Sequence, residues 1–113
     1  MPIILIATMR TEPDRRDEAL ETVRGFVPRV HAERGCELYA PHTSGKDGIV
    51  IVEQWADRES LDAHGSGETL AELNAAMAPY TVADMTVTSL RPAPAGDSAK
   101  GAIRPEMVKE GTR

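Results

Sequence analysis

His64 is the residue of this chain whose type and placement best suit proton chemistry. It follows Leu61 by three positions, so on a helix the two side chains share one face. A half-buried imidazole there can take a proton from a weakly acidic group near neutral pH. The competing reading is a partly buried histidine that hydrogen-bonds backbone and takes no part in chemistry. Tyr39 and Trp55 are two of only four aromatic residues in the chain (one Trp, two Tyr and one Phe). Both fall at strand positions from which they could wall a pocket for a planar ring, although core packing accounts for such residues equally well. Glu53 precedes Trp55 by two residues, which on a strand puts the pair on one side and allows both to line the same pocket. Its other reading is a surface acid at a strand end.

Other reactive side chains carry less. Cys36 is the single cysteine, so there is no intramolecular disulfide and no cysteine-based zinc site. A small buried apolar residue at a strand start is the expectation, rather than a nucleophile. His31 is expected at the end of a helix, exposed or capping, and His42 at the mouth of a hairpin, solvated. The three histidines lack the spacing of metal ligands. There is no nucleophile elbow, no phosphate loop and no Rossmann glycine pattern.

Composition bounds the remaining possibilities. The 113 residues, 41% hydrophobic and 27% charged, suit one domain with a modest core, to which a second copy would add useful buried area. A net charge of −5 argues against nucleic acid, whose phosphates need clustered Lys and Arg. The apolar run at residues 1–7 is short for a signal peptide, and nothing approaches a membrane span, so a cytoplasmic protein that does not bind membranes is expected.

The candidate residues must be placed by six elements. An apolar, β-branched stretch predicts a strand over 3–9. Thr11-Glu12-Pro13-Asp14 starts a helix, whose buried stripe is Leu20, Val23, Val27 and Val30. Pro28 should bend or break it, and Gly35 should stop it. A second strand follows over 36–42, a hairpin loop over 43–48 and a third strand over 49–55. Asp57 caps a second helix, whose inward face carries Leu61, His64, Leu70, Leu73 and Met77. Gly65-Ser66-Gly67 interrupts that helix, with Ser66 placed to recap its second half. Pro79 ends it, and a fourth strand runs over 82–90.

The order β-α-β-β-α-β is ferredoxin-like: α+β, a four-stranded antiparallel sheet with the helices on one face. Its central strands are the first and third. Here both are apolar on both sides: Ile3, Leu5 and Ala7 oppose Ile4 and Ile6, and Ile49 and Ile51 oppose Val50 and Val52. A sheet with one wet face would alternate apolar with polar. The bare face therefore expects a cover, and a second copy of the chain is the simplest one.

Three groups at handover points between elements, Glu33-Arg34-Gly35-Cys36-Glu37-Leu38-Tyr39, Glu53-Gln54-Trp55 and Leu61-Asp62-Ala63-His64, resemble the antibiotic-biosynthesis monooxygenase (ABM) family. The resemblance covers residues 2–90 and implies a dimeric α/β barrel. It also implies a cofactor-free monooxygenase that oxidises a quinol or polyketide-type phenol with molecular oxygen. In that reading His64 is the base, Tyr39, Glu53 and Trp55 line the substrate pocket, and no cofactor or metal is required. Haem degradation, known in some relatives, is less expected, because Leu73-Asn74-Ala75 offers no histidine for iron. A dimeric domain that binds a small apolar ligand or a regulatory partner without turnover is the alternative of a different class. Residues 1–91 form the ABM-like domain. Residues 92–113, opened by Pro92-Ala93-Pro94-Ala95-Gly96, read as a C-terminal extension, either flexible or laid on a partner subunit with Ile103, Met107 and Val108 as anchors.

Overall fold

The computed structural model describes residues 1–108. It holds strand β1 (Ile3–Arg10), helix α1 (Arg16–His31), strands β2 (Cys36–Ser44) and β3 (Gly48–Trp55), helices α2 (Arg58–Gly65) and α3 (Glu68–Met77), and strand β4 (Thr86–Leu90). The sheet is antiparallel in the order β2-β3-β1-β4, the ferredoxin-like arrangement, with β1 and β3 at its centre. Among the described residues no helix is long and apolar enough to cross a membrane. The last five residues of the expected extension, 109–113, lie outside the described residues.

Register explains which side chains meet. Leu5 pairs with Glu53 and Glu53 with Tyr39, so one row of the sheet carries all three. The next row holds Ala7, paired with both Ile51 and Val87. Together with Ile3, Met9, Ile49 and Trp55 this face packs against Ala19, Val23 and Val30 of α1, Leu61 of α2, and Leu73 and Met77 of α3. Val23, Val30, Ile49 and Trp55 have no exposed surface at all. Each such side chain contributes about 1.5–3 kcal/mol through removal from water. The opposite face carries Ile4, Ile6, Val50 and Val52. Ile4 is buried, while Ile6, Val50 and Val52 keep part of their surface.

Several local expectations needed correction. The first helix begins three residues late, because Pro13–Arg15 form a single 3-10 turn before α1. Thr11 is buried instead, in a bridge to Thr81 with its amide on the Asp47 carbonyl at 2.8 Å. Pro28 neither breaks nor ends α1, which continues to His31. The amide it lacks would have bonded the Arg24 carbonyl, and both residues sit on the exposed side, where water can take that bond. Strand β2 reaches Ser44, two residues into the expected loop.

The second helix is two helices. Asp57 caps α2 as expected, accepting from the Ser60 amide at 2.8 Å. Ser66 does not recap the chain: its hydroxyl turns back to the Asp62 carbonyl at 3.0 Å, and Gly67 is the N-cap of α3. The fourth strand is shorter than 82–90. Thr81 pairs with Thr11 and Thr86 with Thr8, so five steps on this strand face three on β1. Two surplus residues must leave the ladder, a local bulge. It lies around Ala83, Asp84 and Met85.

Candidate functional site

The Glu33-Arg34-Gly35 turn joins α1 to β2 and sets the geometry of the site. Gly35 has φ +81°, a left-handed conformation that costs glycine little. A Cβ at this position would collide with the Ser60 side chain, so the glycine also lets the N-terminus of α2 sit directly on the turn. The Gly35 carbonyl accepts from the Ala56 amide at 2.8 Å, and the Glu33 carbonyl accepts from the Cys36 amide at 3.2 Å. With α2 anchored there, the helical phase that follows Leu61 turns His64 inward.

His64 is only 4% exposed. Its ring stacks on Trp55 with centroids 4.5 Å apart and planes at 30°, and meets the Tyr39 ring edge-on at 5.8 Å and 64°. Nδ1 lies 3.0 Å from Glu33 Oε1. An ionised carboxylate only accepts, so the bond calls for a proton on Nδ1, which in the neutral ring leaves the lone pair on Nε2. Trp55 Nε1 donates to Glu53 Oε1 at 2.9 Å, inside the core.

An apolar cavity of about 130 Å³ opens beside these residues. Leu5, Ala7, Met9 and Ile51 of the sheet form its floor, with Tyr39 and Glu53 at one end. His64, Leu61, Leu70, Leu73 and Asn74 come from α2 and α3, and Met85 and Val87 from the β4 side. Tyr39, Glu53 and His64 thus converge on one cavity between the sheet and the second helical segment. Trp55 does not border that cavity. It lies one row further along β3, without exposed surface, and serves as the plate on which His64 rests.

Burial dominates the electrostatics. The Glu53 carboxyl is raised above the ordinary carboxylate range by loss of water, with the Trp55 N–H and the nearby His64 opposing that shift. Burial likewise raises the Tyr39 phenol, reinforced by the negative charges of Glu53 and Glu33. Cys36 is half-buried, and burial pushes its thiol up to about 11, which suits an inert side chain rather than a nucleophile. His31 and His42 are exposed and bond the Tyr39 and Ala40 carbonyls at 3.0 and 2.9 Å, and neither lines the cavity. Among the described residues no group of three or more His, Cys, Asp or Glu side chains has metal-binding geometry.

Glu33 is the site residue that the sequence reading passed over. A signal was present: an acid just past a helix C-terminus faces the negative end of the dipole and needs a reason to be there. His64 is that reason. The cavity-lining role of Met85 was also out of reach, because it depends on a bulge that no turn signal marks.

Comparison with known proteins agrees with this architecture. The profile of the family described as antibiotic biosynthesis monooxygenase matches residues 2–76. The Escherichia coli K12 protein named "Probable quinol monooxygenase YgiN" is 34% identical over 74 residues, covering 55% of this chain and 71% of its own. Among solved structures, Rv0793 from Mycobacterium tuberculosis superposes with a TM-score of 0.75 at 23% identity, covering 86% of this chain and 100% of that one. A structure described as an antibiotic biosynthesis monooxygenase gives a TM-score of 0.73 at 28% identity, over 81% of this chain and 99% of that one. The chain belongs to the antibiotic biosynthesis monooxygenase family.

Proposed function

We propose that this protein is a cytoplasmic, homodimeric monooxygenase that oxidises a small quinol or phenol with molecular oxygen, using His64 as base. The observation that carries the reading is the buried His64 imidazole, with Nε2 unpaired among the described residues and the ring bordering an apolar cavity. Nε2 takes the substrate hydroxyl proton. The electron-rich aryloxide then passes an electron to oxygen, and the two radicals join through a new C–O bond. Loss of water from the resulting hydroperoxide leaves one oxygen atom on an oxidised ring. The substrate supplies the electrons, so the protein's tasks are to hold the ring, exclude water and manage protons. Tyr39 and Glu53 supply the polar end of the cavity, and Trp55 keeps the imidazole in place.

Cavity size narrows the substrate. An apolar cavity of roughly 150 Å³ can take benzene, whereas sites for drug-sized ligands run to about 300–1,000 Å³. The volume within one protomer, about 130 Å³, favours a single-ring or small fused quinol over a tetracyclic polyketide or a haem. A partner would enlarge that space. Met85 and Val87 wall the cavity yet are 43% and 51% exposed, and every residue of β4 is exposed. An uncovered apolar edge of this kind, beside a half-buried sheet face, supports pairing with a second copy. Residues 92–113 would then extend the catalytic unit 1–91. Within the described part, Arg104 donates to the Glu37 carbonyl at the β2 edge.

The test is oxygen uptake by the full chain with a panel of mono- and bicyclic quinols. His64→Ala should lower turnover by about 10²-fold or more. A wild-type protein that binds these compounds tightly and consumes no oxygen with any of them would overturn the oxygenase reading in favour of a binding domain.

A further inference from the structure

We propose that Glu33 is the positioning residue of His64: by accepting from Nδ1–H it directs the Nε2 lone pair into the cavity and balances the charge the ring gains on taking a proton. The inference deepens the reading of His64 as base and rests on it for its catalytic consequence. Four observations carry it.

The bond is short and sheltered: Nδ1 to Oε1 is 3.0 Å, with side-chain exposures of 5% for His64 and 23% for Glu33. Little solvent is available to compete for either partner. The second carboxylate oxygen, Oε2, is buried and among the described residues has no hydrogen-bond partner, so no other protein donor there dilutes the charge seen by the imidazole. Glu33 also lies outside the cavity. It borders a separate surface groove with Arg34, Glu59 and Ser60, so it acts on substrate only through His64. Finally, the other acids near the ring are differently engaged. Glu53, reaching in from β3, has its Oε1 occupied by Trp55 Nε1, and Tyr39, from β2, meets the ring edge-on without a hydrogen bond to it. A buried carboxyl, Glu53, and a partly buried one, Glu33, flank one imidazole, and among the described residues Glu33 bonds it.

The proton balance is simple. The substrate hydroxyl gives its proton to Nε2, the ring becomes an imidazolium, and the Nδ1 proton stays on its nitrogen with Glu33 as counter-charge. Without an acceptor at Nδ1 the ring is free to carry its single proton on Nε2, which presents a donor where a base is needed. The same logic governs any histidine base held by a carboxylate.

The experiment reads the tautomer directly and does not depend on turnover. ¹⁵N spectra of the full chain, labelled at histidine, are recorded near pH 8.5, where imidazoles are neutral. The His64 signals are assigned by their loss in His64→Gln. Wild type should show the proton on Nδ1, and Glu33→Ala should move it toward Nε2. Glu33→Gln keeps an acceptor of the same shape, so it should keep the tautomer while losing the counter-charge. If Glu33→Ala does not fold, the wild-type spectrum and the kinetics of Glu33→Gln still decide the matter. Given an active quinol, Glu33→Gln should lower kcat by about 10–100-fold, with KM moving by no more than about threefold because no cavity contact is lost. A wild-type His64 with its proton on Nε2 would overturn the proposal, as would a tautomer unchanged in Glu33→Ala. So would a loss in Glu33→Gln that fell on KM alone. An Nδ1 proton that is lost in Glu33→Ala, in a protein that oxidises no quinol, would support the positioning and overturn only the oxygenase reading.

Discussion

Replacing Glu53 by Gln should stabilise the protein, and the gain should depend on pH. The side chain is 5% exposed and its one direct bond, from Trp55 Nε1 at 2.9 Å, needs only an acceptor oxygen, which the amide also provides. What changes is the charge. Burial raises the Glu53 pKa above its ordinary value of 4.5, so the folded state holds that proton more tightly than the unfolded chain does. Above about pH 4.5 the unfolded carboxyl ionises freely while the folded one resists. Glu53 therefore contributes stability at low pH that is lost as pH rises toward its folded-state pKa. Gln has no such loss. Near pH 4 the two proteins should melt together, and the variant should pull ahead as pH rises above about 4.5, by roughly 1–3 kcal/mol, the cost of a buried polar group poorly compensated. For a domain of this size each kcal/mol moves Tm by about 4–8 °C. Thermal melts at fixed protein concentration, from pH 4 to 8, measure the difference and hold any association constant. A difference that stays flat with pH, or a variant less stable than wild type at pH 7, would refute the reasoning. The latter would mean that the ionised carboxylate is more than repaid by a charged His64.

Three further outcomes follow from the same geometry. Gly35→Ala combines a positive φ with a collision against Ser60, so it should cost about 2–4 kcal/mol in a denaturant titration and disturb His64 through α2. Ile6→Asp puts a charge on the sheet face away from the helices, beside Val52, its partner in register. If a second copy covers that face, sedimentation should change from about twice 12.2 kDa to the monomer, whereas an unchanged mass would exclude this face from the interface. Removing residues 95–113 should leave a folded domain that loses no more than about 1–2 kcal/mol in a thermal melt, because the sheet is complete at Leu90 and, among the described residues, Arg104 bonds this segment to β2.

The fold was legible because its signals are local and repeated. Apolar, β-branched runs at 3–9 and 49–55, helical spacing from Leu20 to Val30, Asp57 as a cap and Gly35 as a stop each point to one structure. The element order β-α-β-β-α-β put the first and third strands at the centre of the sheet, where β1 and β3 stand. The misreadings fall where local preference competes with packing. Pro28 looked like a breaker, yet it lies in the last turn of α1 with its lost bond facing water. Ser66 has the chemistry of an N-cap, but its hydroxyl is taken by the end of the preceding helix.

For the candidate site, sequence named Tyr39, Glu53, Trp55 and His64 but not Glu33 or Met85, and it held part of the arrangement. Helical phase turned His64 inward with Leu61, and strand alternation put Glu53 beside Trp55. Only tertiary structure decided how these residues divide their work, because each decision depends on contacts between segments distant in the chain. Register across β1, β3 and β2 aligned Leu5, Glu53 and Tyr39 in one row and left Trp55 in the next, behind His64 rather than on the cavity. The Gly35 turn, docked on Ser60, carried Glu33 across 31 positions of sequence to the far nitrogen of the imidazole. A two-residue surplus before β4 left the ladder beside the pocket that Met85 helps to wall. Periodicity reports which side of its own element a residue faces, and no more. What it meets there is set by how elements stack, and that information is shared among residues that no local pattern connects.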